Sequence, residues 1–161
     1  MSKMNRNVGM VVMYAEDLPY WKTGQSSPDT WIERTIKVVT ELGGKVLMEA
    51  FGRDDTGQSA FLLNCRIGAE TYRIVWPVMR SKSGNGKAAK IQAATMLYHD
   101  IKARAVSAAI LGIKASFFTY LELPSGMTPV EAYIGDVSDA LKLFALPPGE
   151  EVVDGDYKEQ P

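Results

Sequence analysis

At 161 residues, with 46% apolar side chains and a formal net charge of −1, the chain is expected to be a soluble globular protein that buries a core without metals or disulfides. Cys65 is the only cysteine, which excludes an internal disulfide and makes a reducing, cytoplasmic setting the expectation. No apolar run reaches membrane-spanning length, and His99 is the only histidine, so neither a membrane partner nor a histidine-rich metal site is expected.

The start, MSKMNRNVGMVVMYAED, has a basic flank, but its apolar stretch is too short for a signal peptide and ends in Glu16 and Asp17. Residues 8–14 are therefore expected to form a buried strand. A loop rich in Gly, Pro and Ser follows, and Ser27 or Asp29 then caps a helix with Pro28 in its first turn. Trp31, Ile32, Thr35, Val38, Val39 and Leu42 recur at helical spacing, and Gly43-Gly44 closes the helix. Lys45–Gly52 is expected to be an antiparallel strand.

Residues 58–67 and 70–79 flank Gly68-Ala69, a two-residue break that suits a type II′ hairpin because Gly takes the position of positive φ. The turn sets a register with Ile67 opposite Glu70. Cys65, Leu63 and Phe61 then face Tyr72, Ile74 and Trp76 on one side, while Arg66, Asn64 and Leu62 face Thr71, Arg73 and Val75 on the other. A long helix is predicted over residues 87–112, where Ile91, Ala94, Tyr98, Ile101, Ala105, Ala108 and Gly112 form a stripe of mostly small residues. Lys114–Leu123 reads as a further strand and Thr128–Phe144 as an amphipathic helix. The expected organisation is one α+β domain over residues 1–146, an antiparallel sheet with a three-stranded core and additional strands packed against a long helix, followed by an acidic, mobile tail over 147–161.

Charge is distributed unevenly along this frame. Between Arg66 and Arg104 eight basic residues stand against Glu70 and Asp100, whereas from Glu131 onward eight acidic residues stand against Lys142 and Lys158. A basic middle with an acidic end fits a nucleic-acid-binding protein whose tail competes with phosphate or recruits protein partners; a solvated surface with a frayed terminus fits the same charges. The basic segment centres on RSKSGNGKAAK, where Arg80, Lys82, Lys87 and Lys90 bracket a Gly-rich turn that opens the long helix. Positive side chains at the positive end of a helix dipole are slightly unfavourable, and a bound anion would reverse that sign. Free N–H groups in Gly84-Asn85-Gly86 would serve the same phosphate. Arg66 and Arg73 share the sheet face opposite Phe61 and Trp76, where they would support a strand backbone or simply lie on the wet side of the sheet.

Other chemistry is weakly represented. Gly86-Lys87 is followed by Ala88 and has no earlier Gly at phosphate-loop spacing, so nucleotide hydrolysis is not expected. Glu49, Asp54 and Asp55 are close enough in sequence for a divalent cation, although Asp54-Asp55-Thr56-Gly57 reads more simply as a turn. Phe61, Tyr72 and Trp76 are expected in the core. Tyr20, Trp21 and the group Phe117, Phe118 and Tyr120 are candidates for base stacking, for subunit contact or for burial against the last helix.

The order helix, three antiparallel strands, loop, helix resembles the double-stranded RNA-binding domain, whose second helix begins Lys-Lys-x-x-Ala-Lys-x-x-Ala-Ala after a Gly-containing loop. Gly86–Ala94 matches at Lys87, Ala89, Lys90, Ala93 and Ala94 and departs at Gly86. The family's Gly-Pro-x-His element has no counterpart in Thr56-Gly57-Gln58-Ser59. The same core, with an acidic end, also resembles phage-type single-strand annealing proteins, which assemble into rings or filaments and hold a DNA strand by its backbone. That resemblance implies single-stranded DNA binding or annealing in phage or mobile-element recombination or repair, by a homo-oligomer without cofactor or catalytic residues. The nucleic-acid-binding residues would be Arg66, Arg73, Arg80, Lys82, Lys87 and Lys90. Duplex RNA binding, or a structural, oligomer-forming role in a phage, are the alternatives.

Overall fold

Ser27 opens the first helix as its N-cap, its Oγ accepting the Thr30 N–H at 3.3 Å, with Pro28 in the first turn where a missing N–H carries no penalty. The structure, a computed structural model, describes residues 13–24, 26–53 and 58–135. Helix α1 spans Pro28–Glu41 and buries Ile32, Thr35, Val38 and Val39. It ends where Gly43 turns into the left-handed region at φ 83°, and Gly44 follows in a tight contact with Val39 and Ile67.

Strands β1 (Lys45–Arg53), β2 (Ser59–Ile67) and β3 (Glu70–Pro77) form one antiparallel sheet in that order. The hairpin register is the predicted one throughout, from Ile67 opposite Glu70 to Phe61 opposite Trp76. Gly68 has φ 64° while Ala69 is not among the positive-φ residues, as a type II′ turn requires. In β1 a bulge between Val46 and Met48 shifts the register, so Val46, Glu49 and Phe51 share a face with Cys65, Leu63 and Phe61.

Helix α2 (Gly86–Leu111) lies with α1 over that face. Ala89, Ala93 and Ala94 permit close approach, and Leu97 and Ile101 complete a core with Leu63, Tyr72, Ile74 and Phe117. Gln92 is also buried there, its Nε2 donating to the carbonyls of Ala15 at 2.7 Å, Pro19 at 2.9 Å and Leu18 at 3.3 Å. This one side chain fastens the N-terminal segment to α2.

Lys114–Leu123 is not a strand. Gly112 ends α2 at φ 87°, after which come a short helix α3 (Ile113–Ser116) and a 3₁₀ turn (Phe118–Tyr120). Phe117, Tyr120 and Leu121 are all buried at spacings of three and four, a helical pattern in a segment whose aromatic content resembles a strand. Arg104 and Ser116 hold the reversal by exchanging side-chain bonds with each other's carbonyls, and the Tyr120 hydroxyl donates to Asp100 at 2.7 Å. A bridge between Tyr72 and Leu121, with the Glu122 N–H donated to Thr71 O, joins the backbone of this segment to β3.

Helix α4 (Pro129–Gly135) begins with a capping box in which Thr128 and Glu131 exchange side-chain to backbone hydrogen bonds. The remainder of the helix predicted to Phe144, the acidic tail and residues 8–12 of the first predicted strand lie outside the described residues, while Met13 and Tyr14 are not in a strand. No helix among the described residues is long and apolar enough to cross a membrane.

Candidate nucleic-acid interface

The basic loop between β3 and α2 is shaped by a carboxylate from the N-terminal segment. Ala15, at the start of a 3₁₀ turn (Ala15–Asp17), donates its N–H to Arg80 O at 2.8 Å. That contact delivers Glu16 into the loop. Its Oε1 accepts the Lys82 N–H at 2.8 Å, and its Oε2 accepts the Ser83 N–H and the hydroxyls of Ser81 and Ser83 at 2.7 to 3.0 Å. Partial burial alone would raise the Glu16 pKa, but these donors hold it far below the ordinary carboxylate range. Asp17 then accepts from the Lys82 ammonium at 2.8 Å and from the Tyr14 N–H at 3.1 Å.

The backbone donors of residues 82–86 are thus already committed. Ser81 accepts the N–H of Gly84 on its carbonyl and that of Asn85 on its hydroxyl, and Gly86 donates to Gly84 O. The sequence expectation of free N–H groups in Gly84-Asn85-Gly86 is corrected by these bonds. Asn85 caps α2, its Oδ1 accepting from the Ala88 N–H at 3.0 Å.

The six predicted basic residues do not form one surface. Arg80, Lys87 and Lys90 lie around the start of α2, and among the described residues none of them makes an ion pair. Arg80 and Lys87 are exposed, while the Lys90 ammonium sits 3.9 Å from the centre of the Phe51 ring, itself 4.8 Å from Phe61. Arg80, Gly86 and Ala89 border an open groove of about 680 Å³, whose other walls include Met13 and Tyr14, Gln58 and Ser59 at the start of β2, and Val78 and Met79 just after β3. Lys82 is on the same loop but is paired with Asp17.

Arg66 and Arg73 alternate onto the other face of the sheet, as their parity predicts. Arg66 is exposed. Arg73 is held by the chain itself: its guanidinium donates to both carboxylate oxygens of Glu131, to Gly126 O at 2.7 Å and to Glu122 at 3.5 Å. A phosphate would have to displace those partners.

A second constellation lies on α2 about three turns from its start. Tyr20 stacks on His99 with ring centres 4.7 Å apart and planes 8° from parallel. Trp31 and Tyr98 lie against the same imidazole at 5.8 and 5.2 Å, with the Arg34 guanidinium 4.6 Å from the Trp31 ring and the Lys22 ammonium 5.8 Å from that of Trp21. Of the aromatic candidates further along, Phe117 and Tyr120 are core residues, Phe117 meeting Tyr72 edge-on. Glu49 is exposed, Asp54 and Asp55 lie outside the described residues, and no cluster of metal-ligating side chains occurs among those described.

Glu16, Asp17 and Gln92 were missed as site-shaping residues. Glu16 and Asp17 read in sequence only as the polar end of an apolar run, and Gln92 as one polar position on a long helix. A buried Gln pinning a segment 73 to 77 residues away leaves no local pattern. No family model, curated protein or solved structure matches this chain.

Proposed function

We propose that the protein binds nucleic acid through the sugar-phosphate backbone, with single-stranded DNA preferred, as a binding or annealing protein and not as an enzyme. The observation that carries this reading is the charge balance at the start of α2. Arg80, Lys87 and Lys90 gather there without carboxylate partners among the described residues, while Glu16 and Asp17, the acids that reach this loop, are consumed in shaping it. Arg80 bordering an open groove, with Lys87 and Lys90 in the first turns of α2, is an arrangement suited to a phosphate chain. The exposed ring of His99 on the same helix, with the exposed Tyr20 ring stacked on it, supports a single strand, whose bases are free to stack. A place in phage or mobile-element recombination rests on the resemblance to annealing proteins.

Duplex RNA is the second reading, favoured by the element order α1, β1, β2, β3, α2 with both helices over one sheet face and lysines opening α2. Fluorescence anisotropy with labelled single-stranded DNA, duplex DNA and duplex RNA at two salt concentrations separates the two. Three cations on three phosphates of a single strand predict a slope of about −2 in log affinity against log salt, and changing Arg80, Lys87 and Lys90 to Ala abolishes most of it. Salt-independent or undetectable binding to all three probes would rule out both readings and leave a structural, assembly-forming role.

A further inference from the structure

We propose that Tyr20, stacked on His99 and accompanied by Trp21, Trp31, Lys22 and Arg34, is a platform for an unpaired nucleobase. The inference rests on the reading of the protein as a nucleic-acid binder and adds to it a base-contacting site distinct from the phosphate-contacting loop. Gln92 anchors the segment that joins the two, bonding Ala15 just before the Glu16 clamp and Leu18 and Pro19 between it and Tyr20.

The side chains here are arranged unlike a core. Tyr20 is 37% exposed and His99 is exposed, so a near-parallel stack of two rings stands at the surface instead of closing a cavity. With centres 4.7 Å apart and planes 8° from parallel the pair is an offset stack, a favourable ring geometry, and its exposure leaves it open to extension by a base. Lys22 and Arg34 are exposed cations placed over indoles, and among the described residues neither has a carboxylate partner. Their charge is therefore available to the phosphates flanking a stacked base.

The backbone is held in an unfavourable form to achieve this. Tyr20 and Lys22, on either side of Trp21, have φ of 67° and 54°, and they are the only non-glycine residues in the left-handed region among those described. Such conformations are unfavourable for residues that carry a side chain and persist where surrounding bonds impose them. Gln92 supplies those bonds through the two residues immediately before Tyr20. The strained loop places an exposed ring on an exposed imidazole, a result that core packing does not need.

The two sites are separated both along α2 and around it. His99 follows Lys87 by twelve residues, a rise of about 18 Å and a turn of about 120° about the helix axis, so a strand that engages both sites wraps partway round α2.

The test compares a short oligothymidylate with an abasic strand of the same length and charge, each titrated against the native chain, Tyr20→Ala and Tyr20→Phe by anisotropy. The expected result is that Tyr20→Ala weakens oligothymidylate binding by about tenfold, leaves abasic binding unchanged and is rescued by Phe. Native protein that binds both strands equally, with no selective loss in Tyr20→Ala, would overturn the platform while leaving phosphate binding intact. Equal loss on both strands, accompanied by a change in sedimentation, would assign the surface to subunit contact instead. No binding of either strand by the native chain would overturn the platform together with the function on which it rests.

Discussion

At the scale of single residues, the charges in the basic loop have very different surroundings. Glu16 accepts four hydrogen bonds, two from backbone N–H groups and two from hydroxyls, the donor set by which proteins hold an oxyanion. A carboxyl whose folded pKa is depressed contributes order that is present above its ordinary value and lost as pH falls through the folded value. The Glu16 contact should therefore survive through the range where exposed glutamates protonate. A carboxyl titration followed by NMR is expected to give a midpoint well below that of an ordinary glutamate, and Glu16→Gln should accelerate amide exchange at Lys82 and Ser83. An ordinary midpoint would show that the clamp does not hold in solution.

Cys65 illustrates the opposite sign. Burial in the sheet pushes its thiol up to about 11. The unfolded thiol ionises near pH 9, so between about pH 9 and 11 the unfolded state alone loses this proton and the stability contributed below pH 9 declines. Denaturant unfolding should fall more steeply over that interval in the native chain than in Cys65→Ala, and a thiol reagent at pH 8 should label only unfolded protein. Parallel pH curves for the two chains would refute the assignment.

At the scale of elements, two glycines separate packing from flexibility. A Cβ on Gly44 would lie 2.8 Å from Ile67 Cγ1 and 2.9 Å from both Val39 Cγ1 and Val39 O, so the α1 to β1 connection depends on its absence. Gly44→Ala should destabilise by about 1–3 kcal/mol through overpacking. A Cβ on Gly86 meets nothing within 4 Å, and its φ is not in the left-handed region. As the first residue of α2 it gains from a side chain, and Gly86→Ala should stabilise by about 0.5 kcal/mol by restricting the unfolded chain. Chemical denaturation of both variants tests the contrast, and equal effects would contradict it. The hairpin was legible at this scale because the turn residues and the period-2 pattern agree on one register. Phe117–Leu121 was not: its residues carry strand-favouring aromatics but bury at helical spacing, and the Arg104 to Ser116 bonds that settle the matter span twelve residues.

At the scale of the whole molecule, the helices cover only part of the sheet. Among the described residues β1 is an edge strand with Leu47, Met48 and Phe51 exposed, and at the far end of α2 Val106, Leu111 and Ile110 are exposed, the last at 84%. An unpaired edge beside apolar side chains is a surface that favours association. Self-association is expected through these residues, and Ile110→Glu with Leu111→Glu should lower the sedimentation coefficient at a fixed concentration. A native chain that sediments as a monomer at every concentration would exclude this.

The sequence by itself determined the hairpin and its register, the starts and ends of α1 and α2, the choice of Phe61, Leu63, Cys65, Tyr72 and Ile74 as core, and the presence of cations at the start of α2. These features depend on periodicity, turn chemistry and caps, all of which act between near neighbours. Tertiary structure alone decided which of those cations are paired, that Arg73 is held by Glu131, and that Tyr20 meets His99. Each of these contacts joins residues 58 or more positions apart, and the bulge at Val46 and Met48 that carries Phe51 under Lys90 changes strand parity without any sign in the local pattern.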